Sequence, residues 1–315
     1  MTKEFTDKAS PERGINRRDL VTAAVAASTV PLIQSTPAGA ADRGLKRRDA
    51  PMSDVKLTYL GGPTYLIEIG GIRIVTDPGF DPQGTERVEG PGHVLTKVMA
   101  PPIPVNEIGP IDLVLLSHAQ HLDNLDNEGK RLLGRAALTI TTPDSAKMGL
   151  PGKPMGLQTW ESHEFSRPNG QSIRITAMPA VHTSNPDLRG AVGEVTGFMI
   201  EWKEQKSGTF YVSGDTVWIE DFKEIARRFK VRSGILHLGA ANVPAVGDNF
   251  LTMSSTDGAK LVKLLSMASA YPAHFEGWRH FSQGSWQIVR EFEREGVSSS
   301  LKLLRPGQSA QVDMG

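Results

Sequence analysis

Residues Leu115–Asp126 read LLSHAQHLDNLD. Just before them, Ile111–Leu116 (IDLVLL) forms a nearly continuous apolar run, the pattern of a strand buried on both faces. The run leads straight into His118, His121 and Asp123. Loops at strand ends are free to hold polar side chains, and the catalytic groups of layered α/β proteins collect there. Two imidazoles and a carboxylate so close in sequence can converge on one cation. Neutral imidazole with carboxylate suits Zn2+ and related metals.

The pattern recurs downstream. Ile173–Val181 (IRITAMPAV) ends at His182, Tyr211-Val212-Ser213 leads into Gly214-Asp215-Thr216, and Ala270-Tyr271-Pro272-Ala273 ends at His274. The candidate metal ligands are therefore His118, His121, Asp123, His182, Asp215 and His274. Asp123 is also a candidate to orient or deprotonate the attacking water. His237, which follows the apolar Ile235-Leu236, is a second catalytic candidate if it faces the site, or else is simply buried. Asp77, in T-D-P-G, either forms a turn or orients a ligand. His280 either contacts substrate or lies at the surface, and Trp218, Phe275 and Trp278 could line a pocket. His93 and His163 fall outside the pattern and are expected at the surface.

Outside these ends the chain reads as strands first and αβ units later. Val55–Leu60, Tyr65–Ile69 and Ile72–Thr76 are short strands separated by Gly61-Gly62-Pro63 and Gly70-Gly71, which predicts an antiparallel meander. A Gly/Pro-rich loop is expected over 79–110. Helices are expected from near Asn124 to Leu133 and over Phe222–Phe229, Thr256–Leu265 and Ser285–Glu295. Further strands are expected at Leu138–Thr141, Ser172–Met178, Thr196–Trp202, Thr209–Ser213, Gly234–Leu238, Ala268–Ala273 and Leu301–Leu304. With 39% hydrophobic and 22% charged residues in 315, the composition is that of a globular chain. Thirty-five basic residues balance 35 acidic ones, so nothing marks a nucleic-acid partner. Cysteine is absent, which excludes disulfides, thiolate metal sites and cysteine nucleophiles. No P-loop, dinucleotide fingerprint or G-x-S-x-G elbow is present.

The N-terminus has another logic. Asn16-Arg17-Arg18-Asp19-Leu20 opens an apolar run to Ile33, too short to span a bilayer, and Ala38-Gly39-Ala40 follows. A charged region, an apolar region and a small-x-small site in that order predict a signal peptide over residues 1–40, and the paired arginines resemble the twin-arginine export signal. The expected organisation is a leader over 1–40, a flexible mature N-terminus over 41–54 and a catalytic domain over 55–315. The expected location is periplasmic or secreted, with the twin-arginine export machinery as a partner and no stable membrane span.

Taken together, S-H-A-Q-H-L-D-N-L-D, A-V-H-T-S, S-G-D-T and A-H-F-E-G-W resemble the metallo-β-lactamase superfamily, whose pattern is H-x-H-x-D-H followed by a later His, Asp and His. The resemblance covers about Val55–Pro306. It is greatest to the branch of ascorbate-6-phosphate lactonase-like and N-acylphosphatidylethanolamine phospholipase D-like proteins. It implies an α/β fold of the four-layer αβ/βα sandwich type and a hydrolase using metal-activated water, with one or two Zn2+ or other divalent metals. The implied substrate is a small molecule, a lactone or ester or a phosphodiester. The first metal would lie among His118, His121 and His182, and the second near Asp123, Asp215 and His274, with Asp215 bridging. The chain departs from the pattern at two points. Ala119 and Gln120 both separate His118 from His121, and Asn124 occupies the place of a metal-binding histidine. The departures imply one tightly held metal with a second weak or absent, and they support an alternative, a binding or scaffold protein of the same fold with weak or lost catalysis.

Overall fold

The computed structural model describes residues 50–90 and 93–315. The leader expected over 1–40, and residues 41–49 of the segment after it, lie outside the described residues. Residues 50–54 are packed. Met52 is buried, and the Gly70 N–H donates to the Asp54 carbonyl at 3.1 Å. Gly70, at φ 56°, makes this approach possible, because a Cβ there would come within 2.6 Å of Met52 Sδ. Residues ahead of Val55 as far as Met52 are thus part of the packed fold.

The meander is present as β1 (Val55–Gly61), β2 (Thr64–Ile69) and β3 (Ile72–Thr76), paired antiparallel. A hairpin of β4 (Glu86–Gly90) and β5 (His93–Thr96) interrupts the expected loop. Next come β6 (Leu113–Leu115), α1 (Asn127–Leu133), β7 (Leu138–Thr141), α2 (Pro143–Ala146), β8 (Pro154–Gly156), β9 (Ser162–Ser166), β10 (Ser172–Met178) and α3 (Arg189–Val192). The last part holds β11 (Gly197–Glu201), β12 (Thr209–Val212), α4 (Phe222–Arg228), β13 (Val231–His237), α5 (Ser255–Leu264), β14 (Ser269–Ala273), α6 (Ser285–Arg294) and β15 (Ser309–Gln311).

One sheet has the order β15-β1-β2-β3-β6-β7-β8 and the other β14-β13-β12-β11-β10-β9. Alternation along the strands builds the layers. Ile67, Ile74 and Leu113 share a core with Ile175, Phe198, Ile200 and Ile235 of the second sheet, and that core extends to Leu261 of α5 and Phe292 of α6. Their neighbours Leu66, Val75 and Val114 turn the other way and pack with Leu132 and Leu133 of α1. The result is helix, sheet, sheet, helix, the expected αβ/βα sandwich.

Two expected elements are placed differently. Helix α1 starts at Asn127 rather than near Asn124, because Asp126 is its N-cap and Asp126 Oδ1 accepts from the Gly129 N–H at 2.9 Å. Asp123 and Asn124 therefore stay in the loop. Leu301–Leu304 is not a strand. Leu301 makes only an isolated bridge to Ala270, and β15 closes the first sheet against β1 instead.

Candidate metal centre

Strand direction gathers the polar residues. β3 and β6 are parallel, with Thr76 opposite Leu115, so Asp77 and the loop from Ser117 to Asp126 leave the first sheet at one edge. β12, β13 and β14 are parallel, with Val212 opposite Ile235 and His237 opposite Ala273. Asp215, His237 and His274 therefore lie at the ends of neighbouring strands. β10 and β12 share one direction because both run antiparallel to β11, and the segment after β10 carries His182. Two of the strand ends are strained: Asp77 has φ 32° and His274 φ 55°. A non-glycine residue there costs on the order of 1 kcal/mol. Hydrogen bonds from Asp77 N–H to Leu115 O (3.0 Å) and from His274 N–H to Gly62 O (2.7 Å) hold the conformation.

All six expected ligand residues, together with His237 and His280, fall into three groups, the last two sharing His274, and within each group the donor atoms lie within 4.8 Å of one another. The first is His118, His121 and His182. His118 Nε2 and His182 Nε2 each lie 3.0 Å from His121 Nδ1. The Leu251 carbonyl, 2.8 Å from His182 Nδ1, can only accept, so the proton of the neutral ring sits on Nδ1 and Nε2 presents a lone pair inward. Burial, followed by the neighbouring imidazoles of His182 and His121, holds His118 well below the usual histidine range. Burial and His121 bring His182 down to about 4. Both rings are thus neutral at pH 7. Tetrahedral zinc with bonds of about 2.0–2.1 Å sets its nitrogens about 3.3 Å apart, close to the spacing found, so the donor set fits such a cation.

The second group is Asp123, His274 and His280. Asp123 Oδ2 lies 3.2 Å from His274 Nε2 and 2.9 Å from His280 Nε2. Burial alone would raise the Asp123 carboxyl, yet the imidazoles of His274 and His280 outweigh it and hold the group well below the usual carboxylate range. Asp123 Oδ1 and His274 Nε2 are buried and make no hydrogen bond.

The third group is hydrogen-bonded. Asp215 Oδ1 accepts from His237 Nδ1 at 2.6 Å and from His274 Nδ1 at 2.8 Å. Burial opposes a charged imidazole at His274, but Asp215 and Asp123 overcome it and push the group up to about 10. The metal-free protein therefore holds a proton between two carboxylates, at a place where positive charge is favoured. Asp77 braces the floor: its Oδ1 accepts from Ser117 N–H at 2.7 Å, and its Oδ2 faces His237 Nε2 at 3.8 Å. Burial and the charge of Asp215 raise its carboxyl well above the usual range.

This geometry bears on three open expectations. His237 is fully buried, hydrogen-bonded to Asp215, and is not among the residues lining the cavity. His280 is not a surface residue, since its side chain is 6% exposed and faces Asp123. Trp218, Phe275 and Trp278 do not line the cavity beside the site; Phe275 and Trp278 are buried in the core, and Trp278 borders a separate small pocket by Gly62 and Met99. Asn124 is fully buried and its Nδ2 donates to Ser117 Oγ at 3.3 Å. Ser117 Oγ in turn meets His118 Nδ1 at 2.8 Å, so Asn124 braces the first imidazole from behind. His163 lies on β9 and joins none of the groups.

A cavity of about 200 Å3 opens on the site. His121, Asp123, His182, Asp215 and His280 form one wall. Leu95, Leu188, Val192, Val243, Val246 and Leu251 form much of the other. Glu89 is present, and no Lys or Arg is among the lining residues.

A two-sheet sandwich with clustered His and Asp at its strand ends defines a protein of the metallo-β-lactamase class. The model of the beta-lactamase superfamily domain matches residues 72–275, and the chain belongs to that family. Its relatives include a UPF0173 metal-dependent hydrolase of Methanopyrus kandleri, 24% identical over 259 residues, covering 81% of this chain and 99% of the relative. The N-acyl-phosphatidylethanolamine-hydrolyzing phospholipase D 1 of Caenorhabditis elegans is 26% identical over 185 residues, 54% of this chain and 49% of that protein. Among solved structures, a possible metal-dependent hydrolase from Veillonella parvula superposes with a TM-score of 0.68 at 19% identity, over 82% of this chain and 100% of that one. An isothiocyanate hydrolase from Delia radicum gut bacteria gives 0.66 at 21% identity, over 81% and 98%. These two likenesses bear on the fold alone.

Proposed function

We propose that this metal-dependent hydrolase uses zinc and cleaves a neutral carbonyl compound, an ester or lactone with an apolar body. What carries this reading is the convergence of the His118, His121 and His182 nitrogens beside a cavity that is apolar opposite them and has no Lys or Arg in its lining. A phosphodiester brings a negative charge that Arg or Lys normally meets, whereas this wall offers the carboxylate of Glu89 and aliphatic side chains. The name of the Caenorhabditis elegans relative keeps a phosphodiester in the comparison.

A bound divalent cation lowers the pKa of water toward about 7 and polarises the substrate oxygen. The protein supplies the rest. His118, His121 and His182 hold the cation through neutral nitrogens. Asp123, ionised and with Oδ1 free of protein partners, orients the attacking water and accepts its proton. Asp215 fixes the ring of His274, and the Leu188–Val246 side of the cavity seats the apolar part of the substrate away from bulk water.

The test is a panel of p-nitrophenyl esters, lactones and bis-p-nitrophenyl phosphate with zinc-loaded protein. The expected kcat/KM for the best neutral substrate exceeds that for the phosphodiester by at least ~10²-fold, about 2.7 kcal/mol of differential transition-state binding. The reverse order would overturn the substrate assignment. Firm metal binding without turnover of any member would favour the binding-protein reading.

We propose in addition that the chain is exported by a twin-arginine signal to the periplasm or beyond, a reading supported by Arg17-Arg18, the apolar run and Ala38-Gly39-Ala40. Changing both arginines to lysine is expected to leave an unprocessed chain in the cytoplasm, checked by fractionation and N-terminal sequencing. Normal processing of the double variant would refute it.

A further inference from the structure

Sequence alone finds no imidazole for a second cation beyond His274, because Asn124 stands in the place of the expected ligand. The fold brings another one. His280 follows His274 by one short turn, A-H-F-E-G-W-R-H, and the chain folds back so that its Nε2 reaches 2.9 Å from Asp123 Oδ2. The turn is well anchored. Trp278 is buried with Leu95 and Leu122, the Arg279 N–H donates to Thr96 O at 3.1 Å, and the His280 carbonyl accepts from the Asn242 N–H at 3.1 Å. The ring of His280 is tilted on Phe281, with centroids 4.5 Å apart. His280 is thus held in place on both sides in sequence.

The three donors face one another as ligands of one ion would. His274 Nδ1 is taken by Asp215 Oδ1 at 2.8 Å, which leaves Nε2 as the ring atom able to face a cation. That Nε2 lies 3.2 Å from Asp123 Oδ2 without forming a hydrogen bond. A divalent cation supplies positive charge that an imidazole nitrogen and a carboxylate oxygen can both meet. Asp123 Oδ2, His274 Nε2 and His280 Nε2 are all close enough to surround such a charge, and the side chains of all three are nearly or fully buried. Asn124, by contrast, spends its Nδ2 on Ser117 Oγ, and its buried Oδ1 is a neutral amide oxygen, a weaker zinc ligand than imidazole nitrogen.

We propose that Asp123, His274 and His280 form a second divalent-cation position, with His280 providing the imidazole that Asn124 does not. The proposal rests on the metal-hydrolase reading above and replaces the expectation of a weak or missing second metal. Two cation positions then lie side by side, one held by His118, His121 and His182 and the other by Asp123, His274 and His280. Both sets contribute side chains to the same cavity wall.

The experiment titrates the metal-free wild type and His280→Ala with Co2+, reading elemental content after dialysis and the visible absorption of the bound ion. The wild type is expected to keep two equivalents. His280→Ala is expected to keep one, with affinity at the second position reduced at least ~10²-fold and the first unchanged. Two equivalents held equally by both proteins, or one equivalent held equally by both, would overturn the proposal and leave the metal-hydrolase reading intact. No firm binding by the wild type would overturn both. Should His280→Ala fail to fold, anomalous diffraction from Co2+-soaked wild-type crystals decides the matter. A peak within bonding distance of His280 Nε2 upholds the proposal, and a single peak among His118, His121 and His182 rejects it.

Discussion

His182→Ala is expected to lose its metal and to lower kcat at least ~10³-fold. The ring stands at the junction of the first group, with Nε2 3.0 Å from His121 Nδ1 and Nδ1 held by the Leu251 carbonyl. Changing residues that merely support a metal ligand costs about 10–100-fold in affinity. Removing one of three imidazoles costs more, and without the cation the water returns toward its bulk pKa of about 15.7. Elemental analysis and steady-state rates check the result, with His163→Ala as the unaffected control. Full metal content and activity in His182→Ala would reject its place in the site. Stability of the metal-free protein gives an independent reading. Burial and His121 hold the folded-state pKa of His182 to about 4, against 6.5 for an unperturbed histidine. Between those values the unfolded chain binds more protons, so acidification costs stability as pH falls from about 6.5 to about 4. The loss from this residue reaches about 3 kcal/mol. Asp77, whose carboxyl is raised by burial and Asp215, acts in the opposite sense as pH changes. The effect is therefore read as the difference in urea-unfolding free energy between wild type and His182→Ala across that window.

How much of this was legible in the sequence depends on where each residue sits in its sheet. Strands β3, β6, β10, β12, β13 and β14 are apolar because both faces are covered, even β14 at the edge of its sheet, and their ends carry Asp77, His118, His182, Asp215, His237 and His274. An apolar run followed by a ligand-type residue was enough to find most of the site. β8, β9 and β15 went unread for the converse reason. Each is an edge strand, and β9 (SHEFS) and β15 (SAQ) are short and polar, with every other residue exposed, so no hydrophobic run marks them. The start of α1 was misplaced because three carboxyl or amide residues, Asp123, Asn124 and Asp126, compete for the cap and only geometry selects Asp126. For His280 the sequence does not choose between substrate and surface, because no strand delivers it. A turn after β14 does so, held by contacts with Thr96 and Asn242 far away in sequence. The one available signal was its spacing of six residues from His274, and that spacing has no meaning until the turn is known. His237 had the right strand-end signature but the wrong depth, since sequence does not say which strand-end histidine faces the cavity and which supports its neighbour.

Asp123→Asn is expected to lower kcat and kcat/KM together by at least ~10²-fold with little change in KM. The substitution keeps the size and planarity of the side chain, so packing in the loop is preserved. What it removes is charge. The Asp123 carboxyl, held low by His274 and His280 against the effect of burial, is an anion throughout the neutral range. Its Oδ1 has no protein partner, so it is available to receive a proton from the attacking water. An amide oxygen at that point can still accept a hydrogen bond but cannot take up a proton. General-base assistance of this kind contributes about 10²–10⁴-fold. Because the assistance is felt in the transition state and not in substrate binding, the loss falls on kcat. The cation among His118, His121 and His182 is expected to stay, since none of its ligands is altered, while the position shared with His274 and His280 weakens as a carboxylate is lost. Retained first-position metal with a large kcat loss identifies Asp123 as the group that handles the water. An unchanged kcat in Asp123→Asn, with the first metal present, would show that this carboxylate only holds structure and that the proton leaves by another route.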